Sequence, residues 1–364
     1  MALVLEVGDR ELMEKVAIEE WMAASPVYSR RMQRALGFVG TDVATMMKNL
    51  QLDIGAPHQF MDFRYRLDDP SRGEFWLAHC GALMDVEPMG DLFVHGMCHA
   101  IEDPTFDATA GATNPLAQVR PIHRPPRVPS NRAPHCAWKI AIVADGPRVA
   151  ATALEGLVAR SALAQLPLPS YGVSGDGGWE DYSGEFDPDF SLEDLSLSAL
   201  RVALDEFGLQ SHLLLRCLLL AVNEHIGEQL MVSMLPPLVR GWCGLTAQRI
   251  RDAFVLEPTV DGVASLLALH PMMSPLAYTG FSVLEGRVAF GPALDEDGAT
   301  WLGLPAVFEV LGAVVQAAFP TAALSSEGVI SVGHEPVRVA REVGIAQIST
   351  GATFRFSQRR PVRS

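Results

Sequence analysis

Residues 58–83, HQFMDFRYRLDDPSRGEFWLAHCGAL, decide the fold. Two aromatic-rich arms, His58–Leu67 and Glu74–Leu83, flank the polar break Asp68-Asp69-Pro70-Ser71-Arg72-Gly73. Aromatic residues suit a pleated, half-buried surface, and Asp, Pro, Ser and Gly between two such arms mark a turn. The stretch therefore predicts a β-hairpin. Successive strand residues point to opposite faces, so Phe75, Leu77 and His79 share one side and Trp76, Ala78 and Cys80 the other.

Upstream the spacing is helical. Glu11–Ala24 and Tyr28–Leu36 read as two helices, the second announced by Ser25-Pro26, and a third runs from a Thr41 cap to Leu50. Downstream, Asp91–Asp103 reads as a helix stopped by Pro104. Asn114–Pro134 reads as an ordered loop or extended segment, and Ala137–Ala144 as a buried strand. The acidic, turn-rich residues 166–190 then mark a linker between domains 1–165 and 191–364.

In the second half, helices are expected at Leu192–Phe207, Leu209–Leu230, around Leu238, at Thr246–Val255 and at Gly262–Leu269. Strand character follows at Tyr278–Phe290, a helix at Leu304–Ala318, and strands near Val329–Ser331, Val337–Arg341 and Ala346–Phe356. The fold class is α/β (α+β): helices packed on small antiparallel sheets, in two halves of similar order. Asp42-Val-Ala-Thr-Met-Met ahead of Pro57-His58 parallels Asp261-Gly-Val-Ala-Ser-Leu-Leu ahead of His270-Pro271, consistent with a degenerate duplication.

At 364 residues, with 49% hydrophobic, the chain can fill two cores. A formal net charge of -15 argues against nucleic-acid binding, which needs a positive face. The basic tail Arg355, Arg359, Arg360 and Arg363 reads as a solvated end. No signal-peptide pattern opens the chain, the longest apolar run, Leu213–Val222, is too short to span a bilayer, and five cysteines lack paired spacing. These features fit a reduced, cytoplasmic protein with a small-molecule substrate and compatible with a homodimer.

Six of the ten histidines and three of the five cysteines fall between His58 and Trp138. Imidazole, thiol and carboxylate are the groups that bind transition metals or act as nucleophile and base near neutral pH. On a regular Asp91–Asp103 helix, His95, Cys98, His99 and Glu102 share a face, and His95 and His99 stand four apart. With His79, Cys80 or Cys136 from another element they would close a divalent transition-metal site, zinc above all, with one position open for water. Alternatively Cys98 is a nucleophile with His99 as base and Glu102 or Asp103 as acid/base, or the cluster is packing. Arg120, Arg124 and Arg127, with His123 among them and Arg132 beyond, stand on a proline-stiffened segment suited to a substrate carboxylate or to pairing with the acidic surface. His212, Arg216 and Asn223, with Gln210 nearby, read as a buried polar network.

The order His79-Cys80, Cys98-His99-Ala-Ile-Glu102-Asp103, Arg120–Arg132, His135-Cys136-Ala-Trp138 resembles the L-2-amino-thiazoline-4-carboxylic acid hydrolase-like family over residues 10–145. It is also similar to the wider group of vinyl-reductase-like and transport-particle-like small-ligand domains. The resemblance implies helices on a small antiparallel sheet, a ligand pocket between them, and hydrolysis of a cyclic C–N bond in a small carboxylate substrate. Carried over residue by residue, it marks Cys98 and Asp103, with Cys80 and Cys136 secondary. His95, His99, the long Pro/Arg segment and the second half depart from that pattern. The expectation is a hydrolase; the rivals are a non-catalytic protein binding a tetrapyrrole or other small ligand, and a structural partner subunit.

Overall fold

The computed structural model describes residues 2–291, 300–302 and 307–337. The expected strands at Val337–Arg341 (beyond its first residue) and Ala346–Phe356, and the basic tail, lie outside these residues. Contacts divide the chain into two compact units, one holding residues 9–217 and the other residues 2–8 with the described part of 218–351. Helix α1 (Ala2–Val7) belongs to the latter.

The first unit begins with α2 (Arg10–Ala35), whose N-cap Asp9 accepts from the Leu12 amide at 2.8 Å. Two helices were expected here, but one continuous helix passes through Pro26. An interior proline costs a helix about 3 kcal/mol. Burial of Ala23, Ala24, Val27 and Tyr28 on both sides of Pro26, with Ser25 hydrogen-bonded to Thr109, outweighs it. In α3 (Val43–Gln51) the cap is Asp42 rather than Thr41: the Asp42 carboxylate accepts from the Thr45 amide at 2.9 Å.

The expected hairpin is present as β1 (Met61–Asp69) and β2 (Arg72–Cys80), with a tighter turn than the six-residue break suggested. Asp69 accepts from both the amide and hydroxyl of Ser71, an Asx-type turn that leaves Asp69 paired with Arg72 and Leu67 with Gly73, with an irregularity in register at Asp68. With β3 (Ala117–His123) and β4 (Cys136–Ile142) it forms a four-stranded antiparallel sheet in the order β1-β2-β4-β3. Strand β3 falls in the stretch expected to be loop or extended segment. It is an edge strand, where Pro121 and its missing N–H are tolerated.

One face of the sheet is buried. Phe63, Tyr65, Phe75, Leu77, Val119, Cys136, Trp138 and Ile140 pack against Val43, Met46, Met47 and Leu50 of α3. Full burial of each large side chain is worth about 2–3 kcal/mol. Across this face lie α4 (Gly81–Val86) and a continuous helical run over residues 91–111: α5 (Asp91–His95), a π-helical segment Gly96–Ile101, and α6 (Glu102–Gly111). The helix does not stop at Pro104. The π segment shifts the hydrogen-bond register just before it, so Pro104 falls in the first turn of α6, where its missing N–H is tolerated.

After α7 (Ala153–Ala159) comes the stretch expected to be a linker. It packs inside the first unit instead: Tyr182 and Phe190 are buried with Met32, Leu36 and Leu52, and their rings stack at 4.5 Å. Its spaced aromatic residues anchor an otherwise polar segment. The break between units falls later, within α8 (Leu197–Ile226), a single helix where two were expected. In the first unit Arg31 forks onto Glu206 of α8 at 2.7 and 3.0 Å and donates to the carbonyls of Ala164 and Leu166.

The second unit holds α9 (Glu228–Phe254), α10 (Val260–Leu269), the one-turn α11 (Leu276–Thr279), the hairpin β5 (Ser282–Leu284) with β6 (Arg287–Ala289), α12 (Val307–Ala318), and the hairpin β7 (Ala322–Leu324) with β8 (Ile330–Val332). Helix α9 merges the two helices expected around Leu238 and Thr246–Val255, and it follows Gly227, whose φ of 100° an L side chain would resist. Among the described residues this unit has two separate two-stranded sheets and no counterpart of the four-stranded one, so the suggested duplication is not visible in its strands. No described helix is long and apolar enough to cross a membrane.

Candidate functional site

A cavity of about 410 Å³ lies in the first unit. Its walls come from Trp21 of α2, the loop Asp53–Pro57, the approach to β1 (Phe60, Met61, Phe63), Ala82 and Asp85 of α4, and one stripe of the 91–111 helix. That stripe is Met97, Ile101, Glu102, Thr105, Phe106 and Thr109, which recur at helical spacing across Pro104. The volume lies in the range of small-molecule pockets, and most of the lining is apolar or aromatic.

Three acids line it. Glu102 is only 7% exposed, and its Oε2 has no hydrogen-bond partner. Burial pushes its carboxyl up to about 8; nearby Arg124 pulls the other way and Asp103 adds to the rise. Asp53 accepts from the Tyr28 hydroxyl and the Gly55 amide, both at 2.8 Å. Burial raises Asp53 to about 6, although both hydrogen bonds oppose the shift. Asp85 is exposed and stands at the solvent side, where partial burial raises its carboxyl. No Lys, Arg or His is among the described lining residues.

The wall depends on two glycines. A Cβ at Gly55 would collide with the Trp21 ring, and one at Gly81 with the Phe60 ring. The loop carrying Asp53 is clamped by Gln210, which accepts from the Ile54 amide at 2.8 Å and donates to the Leu52 carbonyl at 3.2 Å. Gln210, His212 and Arg216 are buried, as the polar-network reading expects, while Asn223 is exposed.

The residues expected to gather in one site are distributed differently. His95 and His99 stack at 4.6 Å, but His95 Nδ1 bonds the Asp91 carbonyl at 2.8 Å and His99 Nε2 the Pro125 carbonyl at 2.6 Å. Cys98 lies in the sheet core, 2% exposed, rather than beside them. The π segment widens the turn, so the regular helical wheel that grouped these side chains does not hold there. His79 is buried against His135, ring centroids 5.8 Å apart. Among the described residues, no three His, Cys, Asp or Glu side chains are arranged to hold a metal ion.

Cys80, Cys98 and Cys136 share one core cluster with Glu102 beside them. Burial first, and the Glu102 carboxylate second, push all three thiols up, Cys80 to about 12 and Cys98 and Cys136 well above the usual thiol range. They are therefore protonated at neutral pH, the opposite of an activated nucleophile.

Each arginine of the expected carboxylate clamp already holds an acid. Arg120 pairs with Asp107 at 2.8 and 2.9 Å, Arg127 forks onto Glu87 at 2.7 Å twice, and Arg124 pairs with Asp103 while lying 5.8 Å above the Trp138 ring. His123 donates to the Pro134 carbonyl at 3.1 Å. Asp103 is partly exposed, and Glu102, its neighbour in sequence, is the expected site residue that faces the cavity. Comparison of the chain with family models, with curated proteins and with solved structures gives no match.

Proposed function

We propose that the first unit binds a small, largely apolar organic molecule, with Glu102 as its polar contact. One observation carries this: Glu102, buried and with one carboxyl oxygen unpartnered, lines a ligand-sized apolar cavity. Leaving a buried polar group unpaired costs about 1–3 kcal/mol, so such groups in native proteins call for a partner. A ligand supplies one.

The test uses N-phenyl-1-naphthylamine, a neutral probe that fluoresces in apolar surroundings. Saturable one-to-one binding by the full chain, abolished in a folded Ala82→Trp variant, supports a ligand cavity. Equal binding by both proteins, or none by either, contradicts it.

A second reading, proton transfer at a C–N bond, is favoured by the high position of the Glu102 carboxyl. A group that keeps its proton near neutral pH serves as a general acid, here able to protonate a leaving nitrogen while water adds to carbon. This is the hydrolysis the family resemblance implies, with Glu102 in place of a thiol or metal. Turnover of a 2-aminothiazoline lost in Glu102→Gln supports it; an unchanged rate in that variant removes Glu102 from the chemistry.

A further inference from the structure

Resting on the cavity proposed above as a ligand site, we propose that its ligand is an apolar organic amine bound as its cation, with the ammonium against Glu102.

Charge comes first. Three carboxyl groups face the space, and no basic side chain is among its described lining residues. Arg124, whose charge acts on Glu102, is already paired with Asp103. The other titratable groups around Glu102 are the thiols of Cys80, Cys98 and Cys136, which bring no positive charge. A carboxylate ligand would add another negative charge with no partner. A neutral ligand would leave the acids as they are, but an ammonium supplies the missing counter-charge and donates to the carboxyl of Glu102, which lines the cavity. Bringing a cation to Glu102 releases the carboxyl proton to solvent; the amine enters protonated, and no other bond changes.

Shape and surface agree. Trp21, Phe60, Phe63 and Phe106 line the same space, and aromatic faces attract a desolvated cation while packing an apolar body. Asp85, at the solvent side, lies where it would draw a cation inward.

Three compounds of one skeleton separate the possibilities: 4-phenylbutylamine, 4-phenylbutan-1-ol and 4-phenylbutanoate, titrated calorimetrically into the full chain near neutral pH. The amine is expected to bind about tenfold or more tighter than the alcohol, the size of one charge-assisted hydrogen bond, with the carboxylate weakest. Glu102→Gln, checked for folding by circular dichroism, should abolish the amine's preference over the alcohol, both measured on the variant. Asp85→Asn, an exposed change that leaves the fold intact, should weaken the amine a few-fold. An alcohol that binds as tightly as the amine, or an amine preference that survives Glu102→Gln, overturns the proposal. If none of the three binds while the naphthylamine probe does, the amine is wrong and the cavity stands. If the probe also fails, the ligand site itself is wrong.

Discussion

Glu102→Gln removes one proton-binding group from the interior and keeps the side-chain shape. In the folded chain the Glu102 carboxyl titrates near 8, against an ordinary value of 4.5. Folding therefore favours its protonated form. That preference is fully present below pH 4.5 and is lost as pH rises toward 8, because the unfolded chain ionises the group freely while the folded one resists. At pH 7 the separation is about 2.5 pH units, worth about 3 kcal/mol of lost stability.

Glutamine carries no such penalty. The variant should match the wild type near pH 4.5 and exceed it by about 3 kcal/mol at pH 7, a rise in midpoint of about 6–12 °C for a unit of this size. Scanning calorimetry of both proteins at steps from pH 4.5 to 8 measures the gap. A difference that stays constant with pH, or a variant less stable than wild type at pH 7, would refute the assignment of a buried, ionisation-resistant Glu102.

Other consequences follow from the same packing. Truncating Arg31 to alanine leaves Glu206 charged and buried without its fork, and should cost about 3–5 kcal/mol in chemical denaturation; a loss below 1 kcal/mol would remove the pair from the framework of the first unit. Cys80, Cys98 and Cys136 should resist iodoacetamide at neutral pH in the native protein and react after unfolding, read cysteine by cysteine by peptide mass mapping; rapid native alkylation of Cys98 would restore the nucleophile reading. In the second unit, His270 donates to the Cys243 carbonyl and accepts from the Met272 amide, and burial lowers its ring to about 4. The unfolded chain takes up that proton near 6.5, so stability should fall as pH drops from 6.5 to 4, by about 3 kcal/mol in all. A His270 proton resonance titrating near 6.5 in the folded protein would contradict this.

The hairpin, the strand containing Trp138 and the helix at Asp91 were legible because each rests on local pattern. The errors fall where tertiary packing outweighs a local signal. Ser25-Pro26 is a start signal and Pro104 a stop signal, yet both prolines lie inside helices, one held by burial on both sides and the other excused by the π segment before it. That same π segment undid the expected His/Cys face, since no sequence pattern announced the change of step. Glu102 was named for its place beside Cys98, and it is the residue that faces the cavity. Asp53 and Asp85 were not named. Asp53-Ile-Gly55-Ala-Pro57 does carry a turn signal, but only the fold shows that Tyr28 and Gln210 fix it against Trp21. Only the stripe from Met97 to Thr109 carries a helical period, and the rest of the wall, drawn from α2, a loop and α4, shares none with it.

The most direct test is to follow the Glu102 side-chain carbon by nuclear magnetic resonance through a pH titration of the full chain, assigned by its loss in Glu102→Gln, with and without 4-phenylbutylamine. A midpoint near 8 in the free protein that falls when the amine binds is the expected result. A midpoint in the ordinary carboxylate range, unmoved by the amine, would contradict a buried acid facing a ligand cavity.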